Sequence, residues 1–208
     1  MKDTLWLYFS FIVFVLSGIS INLYILFKFG IDDLGVFIQI YTIYLIATQL
    51  AVFGIHDSAQ RNIANNINVD LVKLHIKLSA LLISTIFGFI GFILLFSFYD
   101  IIGSLLESEN VGLGLKLASP GIIFFTINKV LLGLLNGERK MVLYSVSQTF
   151  RSISLVFFIY ILSINEDQVY TVSLAFTYTE IILFFFLLYK SNLRNQNNIV
   201  APKLLYWI

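Results

Sequence analysis

A guanidinium at Arg151 and a carboxylate at Glu180 lie inside apolar runs of membrane-spanning length, together with an ammonium at Lys129. Charges at such depth are costly, face a bundle interior or water, and mark paths for polar cargo. Arg151 follows Met141 by roughly 15 Å along a helix, and Glu180 follows Val169 by roughly 16 Å, so the two reach similar depths near the bilayer centre. Tyr144, Ser147, Gln148, Arg151 and Ser154 share one helical face, as do Ser173, Thr177 and Glu180 on the next apolar run. Ser119, Thr126, Lys129, Gly133 and Asn136 make a third stripe, and Gln39, Thr42 and Gln49 a fourth, while Gly18 and Asn22 interrupt the first run. The chemistry these residues could do is recognition of an anion in a hydrated, positively charged cavity. The candidate substrate-binding set is Arg151, Lys129, Glu180, Gln49 and Asn22.

Each candidate has a plainer reading. Arg151 and Glu180 can be a static pair that fixes helix register. Lys129 can snorkel to the interface, and Asn22 and Gln49 can be interhelical glue. Ser84, Gly88 and Gly91 read most simply as a close-packing surface. His56, Asp57 and Ser58 are adjacent in sequence, so their side chains should diverge, and no nucleophile-elbow motif surrounds the serine. Catalysis is not expected.

Six apolar runs must carry these residues: Leu5 to Phe27, Leu34 to Phe53, Leu78 to Tyr99, Leu117 to Leu135, Met141 to Ile164 and Val169 to Leu188. Each is close to the roughly 20 residues a helix needs to span hydrocarbon. With 59% hydrophobic residues, 12% charged and a mean hydropathy of +0.90, the 208-residue chain lies far from soluble-domain composition. The absence of cysteine excludes disulfides and thiolate chemistry, and two histidines give little to a metal site. Neither metal nor cofactor is expected. A net charge of +1 with no basic stripe gives no support for nucleic-acid binding. The first run is too long for a signal-peptide core and is read as a retained helix.

Lys2, Arg61, Lys73, Lys77, Arg139, Lys140, Lys190, Arg194 and Lys203 fall on one set of connections, against Lys28 and Lys116 on the other. Since cytoplasmic loops collect Lys and Arg, both termini are expected in the cytoplasm, which an even number of spans satisfies. Single cysteines in the Arg61 and Arg139 loops should therefore resist impermeant thiol reagents in intact cells, while Asp167→Cys is labelled. The reverse pattern would overturn the topology.

The connection from Gly54 to Lys77 carries Ile63, Ile67, Leu71, Leu74 and Leu78 at helical spacing and is expected to lie along the membrane surface. Asp100 to Lys116 reads as an external connection with an amphipathic start that turns polar and glycine-rich. The short turn Asn165 to Gln168 predicts antiparallel neighbours on either side of it. The domain reading is a six-helix lobe over 1–190 and, over 191–208, a cytoplasmic linker with the apparent start of a further helix. That ending suggests a truncated product or one half of a larger transporter.

Leu34-Gly35-Val36-Phe37, followed by an apolar helix to Gly54 and then Arg61 and Ala64, resembles the second-helix region of the polysaccharide-biosynthesis flippases. These are the O-antigen and lipid-linked oligosaccharide translocases of the MATE-like MOP superfamily. Ser119-Pro120, the run Asn128-Lys129-Val130-Leu131-Leu132-Gly133-Leu134-Leu135-Asn136-Gly137-Glu138-Arg139-Lys140 and the helix from Met141 are similar to the same family. The resemblance implies an all-α integral membrane fold in which this chain supplies the N-terminal six-helix lobe of a two-lobe transporter. It places the protein in the bacterial inner membrane and implies partners: membrane lipids and a second six-helix lobe, or a homodimer in its place. It implies as substrate an undecaprenyl-diphosphate-linked oligosaccharide for surface polysaccharide, O-antigen or capsule. On that view Arg151 attracts the diphosphate, Lys129 recruits it, Glu180 orients Arg151 or couples a proton, and Gln49 and Asn22 contact sugars. The alternatives are a cation-coupled small-molecule exporter of related fold and a non-transporting membrane scaffold.

Overall fold

The computed structural model describes residues 2–164 and 166–190, all of its regular structure helical. The stretch 191–208, read above as linker and start of a further helix, lies outside the described residues.

The helices are α1 (Lys2–Phe29), α2 (Ile31–Val52), α3 (Ile55–Asn65), α4 (Asp70–Leu105), α5 (Glu109–Ala118), α6 (Gly121–Gly137), α7 (Met141–Ile164) and α8 (Leu174–Lys190), the last entered through a 3₁₀ turn at Val169–Ser173. Gly30, at φ 98, stops α1, and Asp32 and Asp33 then sit in the first turn of α2, where the helix dipole favours negative charge. Consecutive left-handed residues, Phe53 and Gly54, end α2. Five helices are long and apolar enough to cross a membrane, or six if the bent pair α5 and α6 forms one span.

That bent pair corrects the expected fourth span. Leu117 to Leu135 is not one straight helix: α5 begins eight residues earlier, at Glu109, and meets α6 at a 51° break over Ser119–Pro120. The supposed external connection is likewise helical, with α4 continuing to Leu105 and α5 burying Val111 and Leu115. Proline has no N–H to offer the Lys116 carbonyl, and a backbone acceptor left bare in a bilayer costs several kcal/mol. Side chains repair the break. Ser119 Oγ donates to Lys116 O at 2.8 Å, and Thr177 Oγ1 on α8 lies 3.2 and 3.3 Å from the carbonyls of Leu117 and Ala118. Ser173 Oγ lies 2.8 Å from Gly114 O, one turn before the break, and 2.6 Å from Tyr170 O in its own turn.

The segment expected along the membrane surface is amphipathic and packs on the bundle over part of its length. α3 buries Ala59 and Ile63 against α6, while Ile67, Leu71 and Leu78 stay exposed. Two glycines one helical turn apart on α6 permit this approach: a Cβ on Gly133 would fall 2.7 Å from the His56 carbonyl oxygen, and one on Gly137 would fall 2.6 Å from that of Gln60. Both obstacles are backbone, so α3 would have to move. Gly133→Ala and Gly137→Ala should each cost about 1–3 kcal/mol by overpacking, more than the roughly 1 kcal/mol that helix propensity returns. Gly18→Ala, which meets nothing within 4 Å, should not destabilise. Thermal unfolding of the solubilised protein checks this, and equal midpoints for all three variants would refute it.

Ser84, Gly88 and Gly91 do form a close-packing surface. α4 meets α6 there, with Thr126 Oγ1 3.0 Å from Ser84 O. Apolar packing divides into two clusters. One joins α1, α2, α5 and the start of α8 around Ile40, Leu115 and Phe176; the other joins α3, α4, α6 and the end of α8 around Ile63, Leu132 and Leu183. Between them, on α4, α6, α7 and α8, lies a belt of Ser84, Thr126, Asn128, Arg151 and Glu180. Across helices, Asn128 and Arg151 bond Glu180 and Thr126 Oγ1 lies within reach of Ser84 O, while Ser84 Oγ donates to Leu81 O in its own helix.

Candidate substrate cavity

A cavity of about 790 Å³ opens beside this belt, lined by α1, α2, α6, α7 and α8. α7 contributes Tyr144, Gln148, Arg151, Ser152 and Leu155, a single helical face. α2 contributes Tyr41, Tyr44, Thr48 and Gln49, and α1 contributes Ser10, Gly18 and Asn22 among Phe11, Phe14 and Val15. All five residues singled out from the sequence, Arg151, Lys129, Glu180, Gln49 and Asn22, stand on this wall.

Three of them prove to be parts of different arrangements. Arg151 and Glu180 form an ion pair, Nη2 to Oε1 at 2.5 Å, with Glu180 almost wholly buried. Phe125 lies against the guanidinium, 4.6 Å from Cζ to ring centroid, a cation–π contact that fixes its plane. Asn128 then takes the other carboxylate oxygen: its Nδ2 is 2.9 Å from Glu180 Oε2 and 2.8 Å from the Glu180 carbonyl. α6, α7 and α8 are thereby tied at one depth. Lys129, one residue from Asn128, points into the cavity instead, and among the described residues no carboxylate lies within salt-bridge distance of it.

The wall therefore carries two cations and one carboxylate, a net positive charge of one. Since Glu180 already neutralises Arg151, that surplus resides on Lys129. His56, at the start of α3, adds no charge near neutral pH: burial pushes its imidazole down and Lys129 lowers it further, against the opposing pull of Asp57. His56 and Asp57 do not diverge as expected. Their Nε2 and Oδ1 atoms are 3.4 Å apart, while Ser58 Oγ faces the Asn62 amide.

Several of the polar stripes seen in the sequence do not face the cavity. Thr126, Ser173 and Thr177 reach carbonyls of other helices, Ser119 bonds Lys116 O in its own turn, Gly133 packs against α3, and Ser147 bonds its own helix at Leu143 O. Gln39 and Thr42 are exposed away from it. Residues not singled out fill their place. Tyr44 stacks on Phe176 with ring centroids 5.1 Å apart, and its buried hydroxyl, like that of Thr179, has no hydrogen-bond partner among the described residues. Asn128 had only its place in a family-like motif to signal it, and the partner that gives it a role lies 52 residues away.

No protein-family model matches this sequence, and no curated protein matches it. Solved structures do. The outward-facing conformation of a multidrug resistance MATE family transporter of the MOP superfamily superposes with a TM-score of 0.75 and 16% identity, covering 92% of this chain and 44% of that one. The crystal structure of MATE in complex with Br-NRF superposes with a TM-score of 0.63 and 17% identity, covering 94% of this chain and 48% of that one. Likeness at such identity establishes the fold alone: an all-α lobe with the helical architecture of about half of these MATE structures. The chain spans less than half the length of either structure.

Proposed function

We propose that this MATE-like lobe belongs to a transporter of anionic amphiphiles, and that its cargo is an undecaprenyl-diphosphate-linked oligosaccharide moved to the outer leaflet of a bacterial inner membrane. The observation that carries this reading is Lys129. An ammonium half-withdrawn from water without a carboxylate partner is costly, and a cavity that keeps one is suited to a ligand that brings negative charge. Around it, Gln49, Asn22, Tyr144 and Gln148 offer donors and acceptors for sugar hydroxyls. The α1 wall of Phe11, Phe14 and Val15 is apolar and continuous with exposed side chains, which suits a lipid tail that stays in the bilayer. Lys129 meets the diphosphate first. Arg151 contributes whatever guanidinium edge Glu180 leaves open, and Glu180 orients it.

With the cytoplasm negative, outward movement of the headgroup is favoured by about 2.3 kcal/mol per charge per 100 mV. Opposite the cavity the proposal needs a second lobe, from another segment of the polypeptide, another chain or a second copy. A cation-coupled small-molecule exporter is the competing reading, supported by the fold shared with the multidrug resistance transporter above and by a cavity carboxylate. Against it, both oxygens of Glu180 are occupied, by Arg151 and Asn128. Vesicle assays separate the two. Delivery of a fluorescent polyprenyl-diphosphate glycan to the far leaflet, dependent on the protein and indifferent to a cation gradient, is the expected result. Gradient-driven efflux of a cationic dye with no glycan movement would replace this reading with the exporter.

A further inference from the structure

One end of the lobe gathers charge that the cavity does not use. The α3–α4 turn, the first turns of α4 and the α6–α7 connection meet there, because Gly137 seats α3 at Gln60 and Ile63. Arg61 is one residue beyond Gln60, and Arg139 is two beyond Gly137. This is the end that the Lys and Arg asymmetry predicts to be cytoplasmic.

Lys77 and Lys140 both pair with a single carboxylate, that of Glu138, with Lys140 Nζ at 2.7 Å from Oε2. Burial alone would raise the Glu138 carboxyl, but the two lysines outweigh it and hold it below its ordinary range, so it is ionised at neutral pH. Lys73 is matched by Asp70 at 2.7 Å. Two ammonium groups on one carboxylate leave a surplus positive charge in a half-shielded position. Arg61 and Arg139 are exposed and form no ion pair among the described residues. Arg139 is held at φ 59, a left-handed conformation uncommon for a residue with a side chain, by bonds from its own N–H to Asn136 O and from that of Lys140 to Leu135 O. The loop is therefore fixed with its guanidinium outward.

Beside these cations the α3–α4 turn exposes Ile67 and Val69, and the first turn of α4 exposes Leu71 and Val72. They precede Leu78, where the apolar run of membrane length begins. Aliphatic side chains interleaved with Lys and Arg at the margin of a membrane span suit the headgroup zone of a bilayer, where the apolar groups enter and the cations meet phosphates.

We propose that this end of the lobe is a docking surface for anionic phospholipid headgroups, with Arg61, Arg139 and Lys140 contacting phosphate and Ile67 and Val69 entering the interface. Charge complementarity and the adjacent aliphatic groups select a lipid over a soluble anion, for which the aliphatic groups have no use. The surface stands independently of what the cavity carries.

The full chain is reconstituted in nanodiscs of phosphatidylcholine, alone or mixed with phosphatidylglycerol, and its unfolding midpoint is measured. Phosphatidylglycerol is expected to raise the midpoint, and salt to diminish the gain. Arg61→Gln with Arg139→Gln should lose more than half of that gain while keeping the midpoint in phosphatidylcholine, since neither side chain makes a hydrogen bond or ion pair among the described residues. Lys28→Gln with Lys116→Gln, at the opposite end, should keep it. Native mass spectrometry should show fewer phosphatidylglycerol molecules retained by the first double variant only. An undiminished gain in that variant would overturn the proposal. So would inorganic phosphate producing the same gain in phosphatidylcholine discs, which would make this a free-anion site, or an acidic peptide displacing the retained lipid, which would make it a protein interface.

Discussion

On the proposed function, Lys129→Gln should reduce glycan export about tenfold or more at equal membrane abundance, because it removes a cavity charge that no carboxylate matches among the described residues; a tenfold change corresponds to about 1.4 kcal/mol. Folded abundance should hold or rise, since a partly desolvated ammonium without a carboxylate partner costs stability rather than supplying it. Lys129→Arg, which keeps the charge, should retain most export. This separation of transport from stability is what a structural or snorkelling lysine would not produce. Surface glycan normalised to membrane-inserted protein is the measurement, and wild-type export by Lys129→Gln would remove it from the substrate path.

The opposite separation is expected at Arg151. Arg151→Ala leaves Glu180 buried with no cation, and breaking a buried pair from one side costs on the order of 3–5 kcal/mol. Folded protein should fall before any transport defect can be assigned. Glu180→Ala leaves the guanidinium with Phe125 and a partly open edge, so its cost should be smaller. The double variant should lose less than the two singles combined, the signature of direct coupling. Arg151→Lys keeps charge but loses the planar fork and the stacking on Phe125, so it should fall between wild type and alanine. Thermal unfolding in a double-mutant cycle checks these values, and strict additivity would contradict the observed contact. If Arg151→Lys at matched folded abundance still lowers export, the open edge of the guanidinium also touches substrate.

Hydropathy was enough to determine a chain with five or six segments of membrane-spanning length and to place Arg151 and Glu180 at matching depth. Both follow from one-dimensional quantities: the length of apolar runs set by bilayer thickness, and helical rise per residue. Helical periodicity also showed which residues share a face, and so put Tyr144, Gln148 and Arg151 together. It could not show what each face meets. A hydroxyl has one proton to donate, and in a bilayer it goes to a nearby carbonyl, so Ser119 and Thr177 were drawn to the break at Pro120, and Ser173 to carbonyls of α5 and of its own turn, rather than to the cavity. Where that break fell against α8, and how closely α3 could reach α6 over Gly133 and Gly137, depended on backbone contacts between segments distant in sequence. The decisive difference between the two cavity cations was tertiary for the same reason. Arg151 and Lys129 look alike as charges in apolar runs, and only the packing of α6, α7 and α8 gave Glu180 to one of them and left the other facing the cavity.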